Sequence, residues 1–265
     1  MYEFNYHRPD SVAGAREILC GDGRAMLLAG GMTLLPAMKL RLARPSALVD
    51  LGGIDELLGI RDEESAIEIG AMVRHADVAR SKTVHSSIPA LAALAGRIGD
   101  PQVRNRGTLG GSIANSDPSA DYPAAVLALN AVIQTDRRQI AADDYFRGLF
   151  ETALQPKEIV LSVRFPKPKR AAYSKFPNPA SRYAVAGVMV ADTVDGVRVA
   201  VTGAGPSAFR ATSFEAALNE TFSAAALHGL TIAADDLMSD LHASAAYRAH
   251  LVSVMAKRAV TNADG

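Results

Sequence analysis

Apolar runs of strand length alternate with segments of helical periodicity from the start of the chain. Ala25–Ala29 reads as a short buried strand, Leu34–Leu42 as a helix and Leu48–Leu51 as another strand, a small βαβ-like lobe over residues 1–53. From Ile54 the pattern changes. Ala66–Gly70 reads as a strand, Ile88–Ile98 as an apolar helix, and a glycine-rich stretch Gly107–Asn115 precedes a further apolar helix at Tyr122–Leu129. These predict a second lobe over residues 54–165. Pro166, Pro168, Pro177 and Pro179, mixed with Lys and Arg, predict a connection, because proline donates no backbone hydrogen bond and resists helix interiors. In the third lobe, 166–265, Tyr183–Asp192 and Val197–Thr202 read as strands joined at Asp195-Gly196, and Ala246–Val260 is the clearest helix. The expected class is α+β, without internal repeats.

Composition narrows the function classes. At 265 residues and 49% hydrophobic, the chain has ample material for a buried core. Its 28 Lys and Arg balance 28 Asp and Glu, so no overall field favours nucleic acid or an anionic membrane. Cys20 is the single cysteine, so the chain forms no internal disulfide and cannot supply four thiolates to an iron–sulfur cluster. The opening MYEFNYHRPD has no basic segment followed by an apolar one, and nowhere do the ~18 consecutive apolar residues of a membrane span occur. A cytoplasmic protein without a transmembrane segment is expected.

Two segments carry candidate chemistry. Ala29-Gly30-Gly31-Met32-Thr33 lies between a predicted strand and a predicted helix. Its glycines permit positive φ and a close backbone approach to a ligand, and Thr33 is placed to cap a helix whose free N–H groups favour an anion. Thr108-Leu109-Gly110-Gly111-Ser112, followed by Asp117 and Asp121, again combines paired glycines with small hydroxyl side chains, the composition of a phosphate-wrapping loop. Either alone also reads as an ordinary tight turn. Together, in a neutral chain without the P-loop or Rossmann fingerprint, they suggest a diphosphate ligand, and FAD is a reasonable candidate. Thr202-Gly203-Ala204-Gly205-Pro206 lacks the third glycine of a dinucleotide fingerprint and reads as a turn between strands. The six histidines form no close-spaced metal set, and no Ser-His-Asp or Cys-His arrangement stands out.

The segments LLAGGMTLLPAMKLRLARPSALVDL, DPQVRNRGTLGGSIANSDPSADYPAAVLAL, YSKFPNPASRYAVAGVMVA and SDLHASAAYRAHLVSVMAKRAV resemble the FAD-binding medium subunit of the xanthine dehydrogenase and aerobic carbon monoxide dehydrogenase family over nearly the whole chain. The resemblance implies a PCMH-type FAD-binding fold of two α/β lobes plus a C-terminal lobe with an antiparallel sheet and helices. It assigns Ala29, Gly30, Gly31, Met32 and Thr33 to one diphosphate contact set and Thr108, Leu109, Gly110, Gly111 and Ser112 to the other, mainly through backbone groups. The family usually has a polar residue where Met32 stands and often Asn where Ser112 stands.

By the same resemblance Asp121 lies near the ribityl chain, with an N-cap of the Tyr122–Leu129 helix as its other reading. Lys175 matches a lysine beside the flavin, against the reading of a surface lysine. Tyr183 matches an aromatic against the isoalloxazine, against that of strand core. Arg104 and Arg106, just ahead of the second loop, are placed to pair with phosphate oxygens, against the commoner reading of solvated loop arginines. The implied complex is a dimer of heterotrimers: a large subunit with a molybdenum cofactor, a small subunit with two [2Fe–2S] clusters, and this chain passing electrons through FAD to an external acceptor. Two other classes are a stand-alone flavin oxidase of the same fold and a non-enzymatic nucleotide-binding assembly module.

Overall fold

The computed structural model describes residues 1–263, which form an α+β protein of three lobes, each built on its own main sheet. The first lobe contains β1 (Asn5–His7), α1 (Val12–Gly21), β2 (Met26–Leu28), α2 (Leu34–Lys39) and β3 (Ala47–Asp50). Its strands run parallel in the order β1-β3-β2, and Ala15 and Leu19 of α1 pack with Val49 of β3. Neither β1 nor α1 announces itself by apolar periodicity. All three residues of β1 are exposed, and only two residues of α1 are buried.

The second lobe contains β4 (Ile60–Asp62), β5 (Ala66–Gly70), α3 (His75–Arg80), α4 (Lys82–Ser87), α5 (Pro89–Gly96), α6 (Pro101–Arg104), α7 (Leu109–Asn115), α8 (Tyr122–Ala128), β6 (Val132–Thr135), β7 (Gln139–Ala141), α9 (Ala142–Tyr145), a small hairpin of β8 (Phe146–Gly148) and β9 (Glu151–Thr152), and β10 (Val160–Pro166). Its five-stranded sheet is antiparallel throughout, in the order β4-β5-β10-β6-β7. Ile69, Val163 and Ile133 on adjacent strands share one core with Leu91 of α5, Leu109 of α7 and Val126 of α8.

The third lobe contains β11 (Arg170–Pro177), β12 (Ala184–Thr193), β13 (Gly196–Thr202), β14 (Phe209–Arg210), α10 (Thr212–Glu220) and α11 (Ala245–Ala263), with the strands antiparallel in chain order. The proline-rich stretch expected as a connection is therefore largely a strand. Pro166 ends β10 and Pro177 ends β11, and β11 is an edge strand, where a missing N–H costs no internal ladder bond. Along β12, Val188 and Val190 face the core shared with α10 and α11, while Met189 and Ala191 face the core of the second lobe. Burial on both faces explains why β12 reads as one continuous apolar run instead of an alternation. The turn into β13 is Val194-Asp195, and Gly196 is the first residue of the strand, at φ 110°.

Glu158 ties the approach to β10 into the sheet. It accepts from the Arg138 guanidinium at 3.1 Å, the Thr135 hydroxyl at 2.8 Å and the Gln155 N–H at 2.7 Å. Burial opposes its ionisation, but these three donors outweigh burial and hold the carboxyl down to about 2 from its ordinary 4.5. Because folding lowers this pKa, the stabilisation is complete above the ordinary value and is lost as pH falls toward the folded one. Glu158→Gln should cost about 1.5–3 kcal/mol at neutral pH. Urea denaturation should show the deficit shrinking through that acid window.

Candidate functional site

The two glycine loops meet at the seam of the lobes. Gly30 packs directly on the second loop's approach, where a Cβ at this position would fall on the Arg106 carbonyl oxygen. Gly31 adopts φ 73°, the left-handed region that other residues enter only with strain. The close approach Gly30 permits is thus to another stretch of backbone, and Gly31 alone in this loop requires positive φ. Between the loops and the third lobe opens a cleft of about 770 Å³, within the range of small-molecule and cofactor sites.

Ala29, Gly30, Gly31, Met32 and Thr33 line one wall, and Thr108, Gly110, Gly111 and Ser112 line another, with Asp121 and Tyr183 completing the cleft. The loops differ in what they offer. The N–H groups of Gly31, Met32 and Thr33 make no hydrogen bond among the described residues. In the second loop, by contrast, Leu109 donates to the Val73 carbonyl at 3.0 Å, Gly110 to the Ala71 carbonyl at 2.8 Å and Gly111 to the Thr108 hydroxyl at 3.1 Å. Two of its donors hold α7 to the segment that follows β5, and the third closes the cap of α7. Ser112 presents the polar side chain of this wall, half-buried and facing the cleft.

Four expectations need correction. Leu109 does not line the cleft; it is fully buried in the second lobe's core. Thr33 stands at the N-cap position of α2 but makes no capping bond, whereas Thr108 does cap α7. Asp121 precedes α8 without capping it, because its carboxylate is taken up elsewhere. Lys175 is neither at the surface nor in the cleft wall; its side chain is 2% exposed, behind Asp121.

The Lys175 ammonium donates to the Arg97 carbonyl at 2.8 Å, to the Arg182 carbonyl at 3.0 Å and to Asp121, whose nearer oxygen is 2.9 Å away. Three donors meet three acceptors, which leaves no proton for a ligand. Asp121 also accepts from the Tyr173 hydroxyl at 2.6 Å. Burial raises its carboxyl above the ordinary range, and Lys175, then Tyr173, pull it back. Each carboxylate oxygen has two acceptor sites, so acceptor capacity remains beyond these bonds. Tyr183 directly precedes β12 and is 46% exposed, so it is a rim residue and not strand core.

Sequence reasoning passed over His75, Ser181 and Arg182, which also line the cleft. His75 is buried, its ring lies against Tyr122 at 5.3 Å, and its Nδ1 has no partner; burial and then Arg104 lower its pKa to about 4, so it is neutral at physiological pH. Nothing in its spacing marked it. Arg104, expected in solvent, donates to the carbonyls of Ile98 and Gly99 and shapes the turn before α6. Among the described residues no group of three His, Cys, Asp or Glu could hold a metal, and no helix is long and apolar enough to cross a membrane.

The α+β fold, the paired glycine loops and the buried carboxylate frame one cleft of cofactor size. Residues 2–168 match the family described as the FAD binding domain in molybdopterin dehydrogenase, and residues 171–263 the CO dehydrogenase flavoprotein C-terminal domain. The chain is 38% identical to the carbon monoxide dehydrogenase medium chain of Hydrogenophaga pseudoflava, covering 98% of this chain and 96% of that one. It is 36% identical to the nicotine 6-hydroxylase medium subunit of Paenarthrobacter nicotinovorans, covering 97% and 96%. A solved carbon monoxide dehydrogenase structure from Hydrogenophaga pseudoflava, one that lacks the Mo-pyranopterin moiety of its molybdenum cofactor, superposes with a TM-score of 0.90 over 99% of this chain and 97% of that one, at 38% identity. The chain belongs to the family of FAD-binding medium subunits of molybdenum hydroxylases, which are oxidoreductase flavoproteins.

The contact at Gly30 gives a test that needs no cofactor. Gly30→Ala should destabilise the flavin-free chain by about 1–3 kcal/mol, the cost of overpacking. Chemical denaturation measures it. Unchanged stability, with only flavin uptake impaired, would return Gly30 to the role of a ligand contact.

Proposed function

We propose that this chain is the electron-exit subunit of a molybdenum hydroxylase, holding one noncovalent FAD in the cleft. The observation that carries the reading is the row of N–H groups at Gly31, Met32 and Thr33, unspent among the described residues, in a cleft that also presents a buried carboxylate. Successive backbone donors suit the oxygens of a diphosphate. Gly110, Gly111 and Ser112 form the opposing wall, with Ser112 contributing its hydroxyl and Thr108 holding α7 in place. Asp121 accepts from sugar-like hydroxyls, and Tyr183 on the rim covers the isoalloxazine. Lys175 acts through Asp121, supplying positive charge without a direct hydrogen bond.

When bound, FAD supplies the redox chemistry that connects electrons from the [2Fe–2S] clusters of a small subunit to an external acceptor. The substrate is oxidised on a large subunit that carries the molybdenum cofactor, and the assembly is a dimer of heterotrimers. Two facts support this division of labour: relatives are named as medium chains or subunits of larger dehydrogenases and hydroxylases, and one cysteine cannot ligate a cluster here. The chain's own residues bind and orient the cofactor and shield it from water; no acid or base need act on substrate.

Acid precipitation of the complex should release one FAD per copy of this chain. Flavin retained in the pellet, or release of FMN, contradicts the cofactor reading. In anaerobic stopped-flow absorbance, substrate should bleach the flavin of the complex and leave that of the isolated chain oxidised. Bleaching of the isolated chain at the rate of the complex would make it a stand-alone oxidase. No bleaching in a complex replete with molybdenum and clusters would make it an assembly module.

A further inference from the structure

Tyr173 lies outside the cleft, yet its hydroxyl donates to Asp121 at 2.6 Å. Tyr173 and Lys175 stand two apart on β11 and so project from the same face. Gly187 on β12 pairs with Lys175, and a Cβ there would collide with the Tyr173 hydroxyl and lie 3.0 Å from Thr202 Cγ2. The single hydroxyl proton of Thr202 on β13 is shared between the carbonyls of Pro118 and Ala120, and Gly203 N–H donates to Pro118 at 2.7 Å. Three strands therefore fix the 118–121 segment from behind, and Gly187 keeps open the space that the hydroxyl occupies.

We propose that Tyr173 is a positioning residue for the flavin cleft, seated by Gly187, which orients the Asp121 carboxylate for hydrogen bonding to the cofactor. The proposal deepens the FAD reading above and rests on it. The charged and titratable groups that face Asp121 are Lys175 and Tyr173 on β11, Arg97 beyond the end of α5, Tyr122 on its own helix and Tyr183 on the rim. Of the donors to the carboxylate, Lys175 is also committed to two carbonyls, so Tyr173 is the one whose removal leaves the rest of the network bonded. Without its hydroxyl the carboxyl takes up a proton at higher pH, because a donor favouring the charged form is gone while burial remains.

The test is FAD titration onto the full-length chain, followed by quenching of flavin fluorescence from neutral pH into the acid range. Wild type, Tyr173→Phe, Gly187→Ala and Asp121→Asn are compared, with circular dichroism reporting the fold. Tyr173→Phe should weaken FAD binding about tenfold or more at neutral pH and move the acid limb of binding to higher pH. Gly187→Ala keeps the hydroxyl but displaces it, and should move the limb in the same direction. Asp121→Asn should remove the limb. A merely structural tyrosine would lower affinity equally at every pH, so superimposable limbs in wild type and both β-sheet variants overturn the proposal. If Tyr173→Phe does not fold, the limb of Gly187→Ala decides alone. A wild-type chain that takes up no FAD overturns the cleft reading as well.

Discussion

The buried pair of Asp121 and Lys175 joins the second lobe to the third, and the rest of the cleft depends on it. Removing either partner would leave a charge buried alone, a loss of about 3–5 kcal/mol where such pairs have been broken. The pair also does more than hold two charges together. Through Lys175 it reaches the Arg97 carbonyl at the end of α5 and the Arg182 carbonyl in the loop that carries Tyr183. One ammonium thus ties a helix end, a carboxylate and the rim of the cleft, with a hydrogen bond satisfying each of its protons.

The two glycine loops look equivalent as strings of residues but have different physical roles. In the second loop the backbone donors are consumed by Val73, Ala71 and Thr108, and Gly110 lets α7 close onto the backbone at Ala71. In the first, the donors remain available, because the chain turns through Gly31 in the left-handed region before α2 begins. Gly30 allows the loops to touch. A cleft with one donor-rich wall and one close-packed wall suits an anionic ligand approached from a single side.

The third lobe contributes no glycine loop and little of the cleft surface, yet it fixes the 118–121 segment of the second lobe. Its sheet is buried on both faces, by α10 and α11 on one side and by α8 of the second lobe on the other. Arg198 extends that seam by donating to the Leu127 carbonyl at 2.8 Å and pairing with Asp143. A rigid sheet of this kind is a suitable platform from which to fix a carboxylate.

Much of the architecture was legible in the residue pattern: the α+β class, the glycine loops and their order, β12, β13 and α11 all follow from apolar runs and turn residues. β1, α1 and the strand β11 were not legible. β1 exposes every side chain, α1 buries only two, and β11 is bracketed by prolines that an edge strand tolerates, so local pattern and local structure disagree there. The sequence by itself determined the family and singled out Gly31, Ser112, Asp121 and Tyr183, which the fold brings to one cleft. Only the tertiary structure decided that Leu109 is core, that the second loop's donors are spent, and that Lys175 is bonded to Asp121 and absent from the cleft wall. The physical reason is that hydrogen-bond capacity is allotted between residues distant in sequence, 54 positions apart for Asp121 and Lys175, and spacing along the chain carries no record of that allotment.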